Sequence, residues 1–196
     1  MSTGPATARR VRARASSSGF VDRETVIRTA AELADRDGWR ALTMSQVAKE
    51  LDRHVRTLYA HVDSLADLQR EVGLLGLDEL ADAVWRAVLG KVRGDALAAI
   101  AEVYVDYARR HPGRGVAMRE ADQSDPDVVA RGLRLAEPIW ATFRSFGVDE
   151  DRVLTAHHVF SATILGLAPR PDRDDLPQAV ALFVLALESG QWPVPS

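Results

Sequence analysis

From Asp22 onward, apolar residues recur every three or four positions. Val26, Ile27, Ala30, Leu33 and Ala34 share one face of a predicted helix, and Gly38 follows its last turn as a C-terminal cap. Thr43-Met44-Ser45-Gln46 predicts a capping box. Thr43 would accept from the N–H of Gln46, and Gln46 would reach back to the N–H of Thr43. The helix that starts there is short, with Val47, Ala48 and Leu51 as its apolar face. Asp52-Arg53-His54 breaks the pattern, and a third short helix carries Val55, Leu58, Tyr59 and Val62 inward. Ser64 and Asp67 cap a fourth helix that runs toward Leu89 with Leu68, Val72, Leu75, Leu80 and Val84 inside.

Beyond this, helices are predicted near 95–110, 115–122, 126–146, 150–168 and 175–189. The separators are Gly90, Gly94, His111-Pro112-Gly113, Gly147, Pro169-Arg170-Pro171 and Gly190. No useful stretch alternates with period two, and no internal repeat is visible. The fold class is therefore all-α. Residues 1–20 are Ser-, Ala-, Gly- and Arg-rich without periodicity, which predicts a disordered basic arm.

The chain has 196 residues, 46% hydrophobic and 27% charged, enough to bury a core and stay in water. With no cysteine, disulfides, zinc–thiolate sites and cysteine nucleophiles are excluded. The longest apolar run, Ala179 to Leu187, is far short of the roughly 20 residues that span a bilayer. Arg9, Arg10, Arg12 and Arg14 precede no apolar stretch, so a cytoplasmic location is expected. The net charge of −3 alone argues against a nucleic-acid partner, but its distribution argues for one. Residues 1–61 hold 11 basic and 7 acidic residues, a net +4; the rest holds 14 and 21, a net −7. A basic head on an acidic body suits a DNA reader joined to a domain that stays off the DNA.

Two short helices joined by a tight turn, with a packing helix before them, form a helix-turn-helix. The second short helix enters the major groove, so its inner side anchors and its outer side stays polar or small. Val55, Leu58 and Val62 can anchor; Arg53, Arg56, Thr57, Ala60 and His61 are left facing out.

At this point the sequence resembles the TetR family of transcriptional regulators. The matching residues are Ile27, Ala30-Ala31, Leu33, Gly38-Trp39, Leu42-Thr43-Met44, Val47-Ala48, Leu51, Leu58-Tyr59, His61-Val62 and Leu68. The likeness covers about residues 22–68. The turn at His111-Pro112-Gly113 also looks like one C-terminal subgroup of the family. The chain departs from the family pattern at Asp52, where glycine is usual, at His54, where serine often caps, and at Leu65, where lysine is usual. Asp52 tolerates the left-handed backbone that position wants better than most residues do. It could also replace His54 as the cap if the helix starts earlier.

The resemblance implies three parts: the arm at 1–20, a helix-turn-helix domain at 21–66, and a helical ligand-binding and dimerisation domain at 67–196. It implies a ligand-responsive repressor, not an enzyme, that binds palindromic operator DNA as a homodimer and uses no cofactor or metal. The DNA-binding candidates are Thr43, Arg53, His54, Arg56, Thr57, Tyr59 and His61. Tyr59 resembles a phosphate-contacting residue of the family, the favoured reading; the alternative is a core tyrosine closing the helix pair. For an apolar ligand the candidates are Trp85, Tyr104, Tyr107, Trp140, Phe143 and His157, each of which could equally be core. His157 and His158 point about 100° apart on a helix and chelate one ion poorly. The last two long helices are expected to pair the subunits. Two alternatives stay open: a helical protein-interaction module with a degenerate helix-turn-helix, and a small all-α enzyme. Against the enzyme, no phosphate loop, nucleophile elbow or H-E-x-x-H occurs.

Overall fold

The computed structural model describes residues 21–169 and 175–190, and every described element is helical. The expected arm, and Arg170 and Pro171 of one expected separator, lie outside those residues. α1 spans Arg23–Asp37. Its cap is Asp22, whose Oδ1 accepts from the Thr25 N–H at 2.8 Å. Hydrogen bonds from Thr25 hold that carboxyl below the ordinary carboxylate range. Gly38 ends α1 at φ +98°, with its N–H on the Ala34 oxygen at 3.1 Å. A 3-10 turn at Trp39–Ala41 leads to α2, Met44–Glu50, and then α3, Val55–Leu58. The long α4 spans Leu65–Val88. The remaining helices are α5 (Arg93–Arg110), α6 (Pro112–Glu120), α7 (Pro126–Ser145), α8 (Glu150–Leu167) and α9 (Asp175–Glu188).

Two apolar cores result. The smaller is built from α1, α2, Leu58, Val62, the first turns of α4 through Leu68 and Val72, and Ala117 of α6. The larger takes Leu74 to Val84 of α4 together with α5, α7, α8 and α9. One helix therefore contributes to both cores, with one face turned to each in succession. Arg70 of α4 fastens the start of α7 through Asp125 and Asp127 at 2.5 and 2.6 Å, and it holds the Asp125 carboxyl down to about 2.

The expected break at His111-Pro112-Gly113 is a correction. α5 runs to Arg110 and α6 begins at Pro112, so only His111 separates them. Proline suits a first helical position because its missing N–H would have no helical partner there. Gly113 answers a different demand, close approach. A methyl group on it would sit 2.2 Å from the Ala34 carbonyl carbon and 2.6 Å from the Asp35 nitrogen. The start of α6 thus lies directly on the backbone of α1.

Charged groups seal this junction. Asp35 accepts the Arg114 N–H at 3.0 Å through Oδ1, and its Oδ2 lies 3.0 Å from His111 Nδ1. The buried Arg114 guanidinium lies 3.4 Å from the same carboxylate and donates to Glu79 of α4 at 3.2 Å. Tyr107 donates to Glu79 at 2.9 Å, and burial and that carboxylate push its hydroxyl pKa up. The far end of α6 is tied as well, by Trp39 Nε1 donating to Glu120 at 2.7 Å. Partly buried ion pairs of this kind define geometry more than they add stability.

Candidate nucleic-acid interface

The helix-turn-helix is assembled from local rules. Thr43 Oγ1 accepts from the Gln46 N–H at 3.2 Å and so starts α2. The second half of the expected capping box differs, since Gln46 Oε1 takes the Thr43 hydroxyl at 3.0 Å rather than its backbone N–H. Met44, Val47 and Ala48 go inward, and Leu51 is half-buried. The turn then needs a left-handed residue, and Asp52 supplies it at φ +55°. The Arg53 N–H closes the turn on the Ala48 oxygen at 2.9 Å.

α3 starts at Val55, so Asp52 does not take over as its cap. His54 holds that place in extended backbone with no side-chain hydrogen bond to the helix. The helix is four residues long and continues as a turn, with the Val62 N–H on the Leu58 oxygen at 3.0 Å. Leu58 and Val62 are buried and Val55 is half-buried, as the anchoring side requires.

Tyr59 is the main correction here. It does not point inward: 52% of it is exposed. Leu58 and Val62 already fill the inner side, and Tyr59 follows Leu58 by about 100° of rotation, which carries it out. His54, Arg56 and Ala60 are exposed beside it, with Thr57 and His61 half-buried. Arg53 is half-buried and folds back, donating to the Asp52 oxygen at 3.0 Å, so it is less free than its sequence position predicts. Thr43 is exposed at the start of α2. One presented surface therefore holds Arg56, Thr57, Tyr59, Ala60 and His61.

Sequence reasoning missed Arg23. Its guanidinium donates to the His61 carbonyl oxygen and lies 3.1 Å from Glu71 and 3.7 Å from Asp67 of α4. The only local signal is an arginine in the first turn of a helix, where the helix dipole disfavours a cation.

The six residues expected to meet a ligand differ in their surroundings. Trp85 is 41% exposed and donates to the Arg134 oxygen at 3.0 Å. Phe143 is sealed in the larger core, edge-on to Phe160 with ring centroids 5.9 Å apart. Tyr104 is buried, which pushes its hydroxyl pKa up, and Tyr107 belongs to the α6 junction. Trp140 and His157 form a separate pair between α7 and α8. Trp140 Nε1 donates to His157 Nδ1 at 3.1 Å, and burial, with His158 nearby, pushes His157 down to about 4. An open apolar groove of about 500 Å³ lies elsewhere, between α5 and α9, lined by Ala98, Leu176, Val180 and Val184 among others. Among the described residues, no cluster of His, Asp or Glu could hold a metal ion, and no helix is long and apolar enough to cross a membrane.

Comparisons with known proteins agree with this architecture. Residues 97–169 match the family model of the tetracyclin repressor-like C-terminal domain. An uncharacterized HTH-type transcriptional regulator of Mycobacterium tuberculosis is 33% identical over 148 residues, 74% of this chain and 68% of the relative. The repressor DrrR1 of Streptomyces coeruleorubidus is 26% identical over 155 residues, 74% of this chain; the chain spans 52% of that relative's length. Among solved structures, a protein of unknown function from Rhodococcus superposes with a TM-score of 0.71 at 19% identity, covering 91% of this chain and 98% of the other. A TetR regulator of Streptomyces coelicolor gives 0.64 at 22%, covering 87% and 97%.

Proposed function

Because the chain belongs to the TetR family of transcriptional regulators, we propose that it is a repressor that grips a palindromic operator as a homodimer and lets go on binding a small apolar effector. The observation that carries this reading is the surface on and after α3, with Leu58 and Val62 as anchors and Arg56, Thr57, Tyr59 and His61 presented outward. That division of labour is what major-groove docking requires. In this reading the exposed Tyr59 meets phosphate with its hydroxyl, and the exposed Arg56 reaches a phosphate or a base edge.

Selection from a random duplex library should enrich an inverted repeat; enrichment of nothing would end the proposal. Affinity should fall steeply with salt, the slope of log affinity against log salt steepening by about 0.9 for each phosphate engaged. Arg56→Ala and Tyr59→Phe should each weaken binding to the enriched duplex about tenfold, in line with the loss of one charged or polar contact. Neither change removes a buried group, so melting temperatures should stay put. Unchanged affinity in both variants would move the DNA surface elsewhere.

A second copy accounts for the outer faces of α8 and α9. Leu154, Val159, Leu182 and Leu185 are all substantially exposed there. A two-fold pairing buries each face against its equivalent and places two recognition helices about one DNA turn apart. Leu182→Glu with Leu185→Glu should convert a dimer into a monomer by light scattering and abolish tight operator binding. A double variant that remains dimeric would put the interface on another face. For the effector, the half-buried Trp140–His157 pair offers a polar anchor among the candidate contacts.

A further inference from the structure

The recognition helix is poorly equipped to hold its own direction. It has four residues, far fewer than a helix needs to persist alone, and its N-terminus lacks a side-chain cap. Val55, Leu58 and Val62 anchor its inner side, but apolar contacts on one side fix its depth more than its direction. Its last carbonyl groups are taken by the turn that follows, Thr57 by the Ala60 N–H and Leu58 by those of His61 and Val62, so its direction depends on how that turn is tied down.

Arg23 provides one tie. It reaches from the first turn of α1 across 38 positions of sequence to the His61 carbonyl oxygen, just past α3. The same guanidinium holds Glu71 at 3.1 Å and Asp67 at 3.7 Å, one turn apart on α4. Asp67 in turn accepts the Asp63 N–H at 3.0 Å, on the segment that leads out of the recognition turn. A planar guanidinium holds separated acceptors in a fixed geometry through two different nitrogens, whereas the three donors of an ammonium group share one nitrogen on a flexible stem. Nothing in α1 itself calls for a cation at its N-terminus, where the dipole opposes it.

We propose that Arg23 is a positioning residue, fixing the angle at which α3 and Tyr59–His61 meet DNA without touching the DNA itself. Its guanidinium is already engaged by the His61 oxygen, Glu71 and Asp67, so a phosphate gains little by approaching. This assignment rests on α3 being the recognition helix.

The test uses the full chain, the duplex enriched by the wild-type protein, and a scrambled duplex of equal length. Lysine at this position keeps the charge but loses the fork. R23K should bind the enriched duplex about tenfold more weakly and the scrambled duplex as before, because non-specific binding depends on charge and not on the angle of α3. R23Q should lose as much on the enriched duplex, with the salt slope of wild type. Wild-type affinity in R23K would overturn the assignment. So would a slope in R23Q reduced by about 0.9, the mark of a lost phosphate contact. Equal losses on both duplexes with a lowered melting temperature would show a general structural role instead, and overturn it too. A wild-type chain that enriches no duplex refutes the DNA-binding reading and this assignment with it. Wild-type enrichment with R23K unchanged refutes this assignment alone.

Discussion

Gly113→Ala should cost about 3 kcal/mol of folding stability or more, at the upper end of what overpacking does. The added methyl group would lie 2.2 Å from the Ala34 carbonyl carbon and 2.3 Å from its oxygen. Both are backbone atoms of a helix, so no side chain can swing aside to make room. α6 would have to lift away, which would break the Arg114 N–H bond to Asp35 and loosen the Trp39–Glu120 bond. Gly115, two residues on, is the control. A methyl group there meets only the tip of Arg119 at 3.6 Å, an ordinary contact. Alanine is the better helix former by about 1 kcal/mol, so Gly115→Ala should be neutral or stabilising. Urea midpoints at one fixed protein concentration give both values. A Gly113→Ala protein within about 1 kcal/mol of wild type would mean that α1 and α6 part easily, because only such freedom could absorb so short a contact.

Acid should weaken the body of the protein through His157. Unfolded, this residue takes up its proton near the ordinary value of 6.5; folded, only near 4. Burial is the larger cause and the neighbouring His158 the smaller. Between those two values only the unfolded chain binds the proton, so stability is full above the upper value and falls as pH drops through the interval. The slope approaches about 1.4 kcal/mol per pH unit and the total is about 3 kcal/mol. His157→Gln keeps an acceptor for Trp140 but does not titrate, so its stability should change much less over the same interval. A wild-type profile as flat as that of the variant would show that the folded protein admits the charged imidazole. The Asp125 carboxyl, held down by Arg70 to about 2, does not share this window: its acid loss begins below the ordinary carboxylate value of 3.8.

The parts that could be read from the chain were those decided within a few residues. Asp22, Thr43 and Ser64 each accept an N–H three residues ahead, so their helix starts are legible as letters. Gly38 and Asp52 sit at turns whose backbone sign narrows the choice of residue. The inward positions of α1, α2 and α4 follow from the period of the helix alone. Tyr59 was misread because apolar spacing was extended past the end of a four-residue helix, where the next residue turns outward. What could not be read is what depends on distant partners. Gly113 looks like a turn glycine until Ala34, 79 positions earlier in the chain, is seen against it. Arg23 looks like a solvated charge until His61 is placed beneath it. The aromatic residues expected to surround a ligand carry no letter that says which are packed against one another. Phe143 proved sealed and Trp85 open, although both belong to apolar helices.

The sharing of α4 between two cores bears on how the molecule comes apart. A fragment ending at residue 66 would keep α1 to α3 but lose Leu68, Val72 and Ala117, three members of the smaller core. A head cut there should therefore fold poorly by itself, since the seam between head and body runs along a helix instead of through a linker. Losing the body would also withdraw Ala117 of α6, and with it part of the packing that holds the near half of α4. Head and body should therefore be lost in one cooperative event, and no stage of unfolding leaves a competent DNA reader behind.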